Sequence, residues 1–138
     1  WNVVRSRKAA VRAEAASKQV LETVKLYDLM TDISRALAII EELKRMHRDG
    51  DWKVVIERYA ELKKILFAVR DTRIELSTDQ QSSLQSTISI ISGFERKIEK
   101  HLGKSGQAVD VPVMNNKMSK QIEDLQGLLN DIRQRNGG

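Results

Sequence analysis

The residues of this sequence that come closest to metal-binding or catalytic groups are its two histidines. His47 and His101 each lie shortly before a glycine, and neither has a His or Cys three or four residues away, as helical zinc ligands would. The Glu-x-x-His motif of carboxylate-bridged metal bundles does not occur in the sequence. We therefore expect both side chains to be cations near helix C-termini, stabilised by the helix dipole, and we predict no metal and no cofactor.

A short segment resembles part of a phosphate-binding loop. Gly103, Lys104 and Ser105 match the end of that motif, but the motif requires a glycine five residues earlier, where Ile98 stands. A helix C-terminus also presents carbonyl groups, which repel phosphate. Since the chain contains no cysteine, disulfides and thiolate catalysis are excluded as well. We predict that the protein is not an enzyme and see no small-molecule substrate.

The positive charge of the chain is concentrated near its N-terminus. The formal net charge is +5, from 24 basic and 19 acidic residues. Four of the basic residues and none of the acidic ones fall within residues 1–12, which leaves a nearly neutral remainder. A neutral remainder with interspersed charges lacks the broad positive face that nucleic-acid binding uses, so a nucleic-acid partner is disfavoured.

The basic N-terminal stretch suggests contact with an anionic surface. Trp1, Val3 and Val4 precede the basic cluster, and an interfacial Trp followed by basic residues is typical of the cytoplasmic end of a transmembrane helix. Because the sequence begins with Trp rather than Met, we expect an upstream segment that could be this helix. The alternative is an ordinary solvated helix start. The predicted anionic-surface residues are Arg5, Arg7, Lys8 and Arg12.

Long helices are the elements that must position these residues. With 7 Gly and 1 Pro the chain lacks the turn residues that short elements need. Neither residue type occurs before Gly50, which predicts one long first helix, extended or kinked, that ends there; Asp51 is the candidate N-cap of the second helix. Apolar residues recur at steps of three or four in this first segment. They are Leu26, Met30, Ile33, Leu37, Ile40 and Leu43, followed by His47.

Three further segments have the same periodicity. Two capping boxes, Ser77 with Gln80 and Thr78 with Gln81, predict the start of the third helix, and a loop is expected at residues 103–112. The stripe residues of the second helix are Trp52, Val55, Tyr59, Leu62, Leu66, Val69 and Arg73, with Trp52 and Tyr59 as core anchors. Those of the third are Leu84, Ile88, Ile91, Ile98 and Leu102, and those of the fourth are Met114, Met118, Ile122, Leu125, Leu129 and Ile132.

These patterns predict an all-α fold. One-sided apolar stripes joined by short loops favour an antiparallel up-down bundle of about four long helices. We divide the chain into a basic arm or juxtamembrane segment at residues 1–12 and a helical bundle domain at residues 13–135. No apolar run approaches the ~20 residues of a membrane-spanning helix, which predicts a soluble chain.

The third helix carries an unusual uncharged stretch, residues 80–94. Small residues recur within it at steps of three or four, on a face distinct from the apolar stripe, and small residues allow close approach of another helix. We predict a protein-contact face there; the alternative is a solvated, serine-rich face. The residues concerned are Ser82, Ser86, Ser89 and Gly93.

Together these features predict a non-enzymatic helical interaction or scaffolding module, the soluble cytoplasmic part of a membrane-anchored protein. Its partner is another protein or a second copy of itself, with the membrane close to the arm. The alternative is a soluble module that binds an anionic partner, either a membrane surface or nucleic acid, through the arm. A nucleic-acid partner would give strongly salt-sensitive affinity, because phosphate contacts release counterions.

Overall fold

The protein is represented by a computed structural model that describes residues 2–103 and 108–137. Within these ranges the chain forms four helices and no strand, which confirms the predicted all-α class. Helix α1 is Asn2–Asp49 and α2 is Trp52–Arg70. Helix α3 is Thr78–Leu102 and α4 is Val111–Gly137. The first helix is therefore one continuous element. Pro112 lies in the first turn of α4, where proline is tolerated, rather than in the loop we expected.

The four helices form a ring in which each packs against two neighbours. Helices α1 and α3 each contact both α2 and α4. Ion pairs join neighbouring helices: Arg58 of α2 binds Glu42 of α1 at 2.7 Å, and Lys63 of α2 binds Glu95 of α3, also at 2.7 Å. Short connections make neighbours in sequence antiparallel neighbours in space, as the amphipathic stripes predict.

The helix ends show which local sequence signals were correct. Gly50 follows α1 with φ of +74°, a left-handed conformation that favours glycine and ends the helix. Ser77 accepts a hydrogen bond from the backbone N–H of Gln80, and the Gln80 side chain accepts one from the Ser77 N–H, so the capping box is confirmed. Asp51 occupies the N-cap position of α2, as predicted, but its side chain makes no cap hydrogen bond.

One apolar core fills the space between the helices. Most of the predicted core residues are buried, including Ile33, Leu66 and Ile91 at 0% exposure. Six apolar members of the stripes differ: Leu102, at the C-terminal end of α3, is 45% exposed, and five others are half-buried against the core, namely Leu26, Met30, Leu37, Trp52 and Ile122. Buried residues that the stripes did not include are Leu29, Ala36, Ile39, Ile65, Leu76, Thr87, Phe94, Gln121 and Leu128.

Helix α1 extends well beyond the bundle. Its first fully buried side chain is Leu29, whereas residues 3–22 are exposed. We call residues 2–25 the projecting segment; at about 1.5 Å per residue it is about 36 Å long. None of the helices in residues 2–103 and 108–137 has the length and apolar character that crossing a bilayer requires.

Candidate interaction surface

The predicted anionic-surface residues all lie in the projecting segment. Arg5, Arg7, Lys8 and Arg12 are exposed on α1, many turns away from the bundle. At 3.6 residues per turn, Arg5, Lys8 and Arg12 share one side of the helix, while Arg7 points to another. Residues 2–12 of the predicted arm are continuous with the rest of α1, and the exposed run extends further, to Glu22; Trp1 lies outside the described residues. Binding of an anionic surface by these residues stays a prediction.

The projecting segment also exposes apolar side chains that we did not single out from the sequence. Val20 is 63% exposed, Leu21 53% and Val24 49%. Tyr27, just beyond the segment, is 57% exposed. Together with Ala16 and Ser17, the first three of these line a shallow apolar depression. Single exposed apolar side chains are normal on a protein surface, whereas several grouped on one element are typical of a binding surface.

The small residues of α3 form a second exposed surface. Ser82, Ser86 and Ser89 are exposed, and Gly93 is half-buried. A Cβ at Gly93 would meet no atom closer than the Arg96 guanidinium, at 3.9 Å, so no helix of the bundle approaches there. Among the described residues, therefore, no other helix covers this face. Its role as a contact with a partner chain stays a prediction.

A polar cluster closes the end of the bundle opposite the projecting segment. His47 is only 1% exposed, and the Tyr59 hydroxyl lies 2.8 Å from its Nε2 atom. The Nδ1 atom of His47 lies 2.8 Å from Oδ1 of Asn115. The amide nitrogen of Asn115 donates to the carbonyl of Lys44 at 3.0 Å. The cluster thus joins α1, α2 and α4 through hydrogen bonds.

These contacts determine the protonation of His47. Because the Asn115 amide nitrogen donates to a carbonyl, its Oδ1 is free to accept, so His47 donates from Nδ1 and accepts at Nε2. Tyr59 is the donor to Nε2: burial, and secondarily the charge of Glu95, raises its pKa far above the ordinary value. Burial lowers the pKa of His47, partly opposed by the hydrogen bond to Asn115. The imidazole is therefore held neutral.

Aromatic rings cover the cluster. The indole of Trp52 stacks on His47 with ring centroids 5.7 Å apart, and His101 meets the edge of the same indole at 5.7 Å. This arrangement corrects the expectation that His47 is a cation at a helix terminus: its charged form would lack water and an acidic partner. The sequence did contain a signal for this burial: His47 occupies the position after Leu43 in the apolar stripe of α1.

The cluster lacks the features of a catalytic or metal centre. All its polar groups are used in mutual hydrogen bonds, and in the described ranges no buried side-chain nitrogen or oxygen is without a partner. Nor do three or more His, Cys, Asp or Glu side chains of those ranges come together in a metal-binding group. What the cluster can do is fix the relative positions of three helices.

Comparison with known proteins identifies no relative. The chain matches no protein-family model, no curated protein and no solved structure.

Proposed function

We propose that this protein is a non-enzymatic interaction module, in which a four-helix bundle supports a projecting helix that binds a protein partner. The observation that carries the proposal is the exposure of Val20, Leu21 and Val24 on the projecting segment. Burying one such side chain stabilises an interface by roughly 1.5–3 kcal/mol, so binding of a partner to these residues would be favourable. A long helix with an apolar face that the bundle leaves uncovered is a common mode of helical recognition.

The basic residues support a location of this module close to a membrane. Lys8 and Arg12 lie in the part of α1 furthest from the bundle. Each basic residue near anionic lipid contributes about 1 kcal/mol to membrane binding, so the cluster favours contact with a cytoplasmic membrane surface. The projecting segment would then hold the bundle about 36 Å from that surface. We therefore extend the proposal to the cytoplasmic part of a membrane-anchored protein, with the projecting segment as the spacer.

Site-specific photo-crosslinking in the native cell tests the interaction. A photoreactive residue at Val20 should give one adduct of defined mass, whereas the same residue at Lys18, on the opposite side of the helix, should give none. The two positions are equally remote from the bundle, so the comparison reports on the face alone. Adducts at neither position, or equal adducts at both, would contradict a protein-binding face on this segment.

The second candidate function is binding of an anionic partner through the basic residues alone, and the charge of residues 1–12 favours it. Vesicles containing phosphatidylserine should bind the full chain but not a chain that begins at Ala13, and binding should weaken with salt. Equal binding by both chains would exclude the basic cluster as the lipid contact. Tighter, salt-sensitive binding to duplex DNA than to vesicles would favour nucleic acid instead.

A further inference from the structure

The projecting segment, residues 2–25, has one side without any charged residue. At about 100° of rotation per residue, its eight charged side chains all fall on one half of the helix surface. On the other half lies a sector about 140° wide that holds only uncharged side chains, and we call it the neutral sector. Among residues 3–25 its members, all exposed, are Val3, Ser6, Ala9, Ala10, Ala13, Ala16, Ser17, Val20, Leu21 and Val24.

The same sector of α1 becomes charged where the helix joins the bundle. Tyr27, 57% exposed, is the last residue of the uncharged run. Between residues 28 and 49 the sector contains Asp28, Arg35, Glu42, Arg45 and Asp49. Charges of this kind are normal on a helix side that faces water. Their absence is therefore specific to the projecting segment and is not a general property of α1.

The neutral sector faces away from the bundle. Ile33 and Ile40, both at 0% exposure, mark the core side of α1, and the centre of the sector is about half a turn away from them. The sector extends from Val3 to Val24, about 32 Å along the helix axis. A flat surface can therefore contact the whole sector while the bundle lies on the opposite side of α1.

Charge indicates what kind of surface this is. The projecting segment contains six basic and two acidic residues, a net charge of +4. Arg5 and Arg12 lie within about 40° of one edge of the neutral sector. Arg7 and Lys25 lie within about 40° of the other edge. Long basic side chains at the edges of an uncharged helix face can reach lipid phosphates while the face itself contacts the acyl chains.

The two acidic residues of the segment do not change this balance. Glu14 lies close to one edge of the neutral sector, but its carboxylate is 3.8 Å from the ammonium group of Lys18, which offsets its charge. Glu22 lies about 170° from the centre of the sector, on the side that faces away from such a surface. The charge next to the neutral sector is therefore mainly basic.

The side chains of the neutral sector suit lipid better than a protein groove. Its larger apolar members, Val20, Leu21 and Val24, are 49–63% exposed, and the others are mostly alanines and serines spread evenly along the helix. A groove in a protein selects a few large side chains, whereas a lipid surface needs no matching shape. Moderate hydrophobicity on one face and Lys and Arg on the other are typical of helices that lie in the plane of an anionic membrane.

We propose that the projecting segment lies flat on an anionic lipid membrane, with the neutral sector at the boundary between head groups and acyl chains. This inference rests on the second candidate function, binding of an anionic partner. The bundle then lies next to the membrane, on the far side of α1, rather than about 36 Å above it. Lipid and a protein partner are alternatives for the same face, because both would cover Val20, Leu21 and Val24.

Fluorescent labels on single cysteines test the orientation, because the chain has no natural cysteine. Val20→Cys places a label in the neutral sector and Val11→Cys on the opposite side; the two residues are matched in exposure, at 63% and 64%. On phosphatidylcholine vesicles with about one third phosphatidylserine, a quencher attached to the acyl chains should quench the Val20 label, while iodide in the water should quench the Val11 label. A segment standing on its N-terminal end would bring Val11 closer to the lipid than Val20. That reversed order would overturn the flat orientation.

Glutamate variants test whether the neutral sector contributes to binding. Val20→Glu and Val11→Glu change the net charge equally, and neither position belongs to the core. Val20→Glu should weaken vesicle binding about tenfold more than Val11→Glu does, because only the carboxylate at position 20 must be desolvated at the lipid boundary. Equal losses in the two variants would overturn the inference and leave binding through the basic residues alone.

Two other outcomes separate this inference from the proposed functions. No binding of the full chain to the phosphatidylserine vesicles at low salt would overturn both the inference and the second candidate function. A Val20 photo-adduct with a protein in the native cell, without any vesicle binding, would overturn the inference and leave the protein-binding function standing.

Discussion

His47 is a titratable group held neutral inside a hydrogen-bonded cluster, and this has a consequence for stability. Its pKa in the folded protein lies below the value of about 6.5 that it has in an unfolded chain. Between these two values the unfolded chain binds more protons than the folded protein. The stability due to the neutral imidazole is therefore fully present above about pH 6.5 and decreases as the pH falls through that value.

We expect the melting temperature to fall between pH 7.5 and pH 5.5, a window in which ordinary carboxylates stay ionised. His47→Gln removes the titration while keeping a polar side chain that can reach Asn115. This variant should have a lower melting temperature at pH 7.5 but a clearly smaller change between the two pH values. The same pH dependence in both proteins would assign it to other groups.

Tyr59→Phe tests the other half of the cluster. The change removes the only hydrogen bond that the structure gives to Nε2 of His47 and leaves this buried nitrogen without a donor. We expect the free energy of unfolding to fall by about 1–3 kcal/mol, the usual cost of an unsatisfied buried polar atom. Urea denaturation at pH 7.5 measures it, and a change below about 0.5 kcal/mol would mean that the hydroxyl contributes no such bond.

The sequence could not predict this cluster, although its members were visible. His47 and Tyr59 both fell on predicted apolar stripes, but Asn115 lies in α4, far along the chain. Whether a histidine near a helix end meets water or another helix depends on how far the neighbouring helices extend. That is a tertiary property which helical periodicity does not contain.

At the scale of the elements, nearby positions of α3 should respond differently to substitution, because some are exposed and others are buried. Ser86 and Ser89 are exposed, so replacing both by Glu should leave the melting temperature within a few degrees of the original. If the double variant also loses an association that the original chain shows, the α3 face is a partner contact. Unchanged association would leave it a solvated face.

Thr87, between those two serines, provides the contrast. It is fully buried and donates to Oε1 of Gln121 at 2.6 Å, which joins α3 to α4. Thr87→Val keeps the shape but leaves the Gln121 oxygen unpaired, so we expect a loss of about 1–3 kcal/mol in thermal or urea denaturation. A negligible loss would show that Gln121 finds another partner or water.

Periodicity predicted the elements well and their boundaries only partly. Gly50 and the Ser77 capping box are local signals, and both were correct because turn and cap geometry depends on neighbouring residues. Leu102 and Ile122 were assigned to the core because periodicity reports which face a residue lies on, not how closely a neighbouring helix covers it. For the same reason the exposure of the apolar side chains of α1 was not predicted: the sequence periodicity is the same whether or not a second helix covers the stripe.

At the scale of the whole molecule, the bundle should be independent of the projecting segment. Residues 3–22 are exposed and contribute little to the core, so a chain that begins at Val24 should unfold within a few degrees of the full chain. Circular dichroism should show a lower helical signal per molecule, since the residues removed are part of the continuous helix α1. A large drop in melting temperature would indicate that the segment folds back onto the bundle.

One unbroken helix carries both the core side chains and the exposed apolar side chains of the projecting segment. The angle between these two sets around the axis of α1 is therefore fixed. Inserting one residue after Leu21 rotates everything before it by about 100° relative to the bundle, whereas inserting seven residues restores the angle to within about 20°. Neither insertion touches the core, so both proteins should melt like the original. Any partner that spans the insertion point should lose affinity after the single insertion and regain much of it after the insertion of seven, and titration of binding for the two proteins would measure how rigidly α1 transmits rotation.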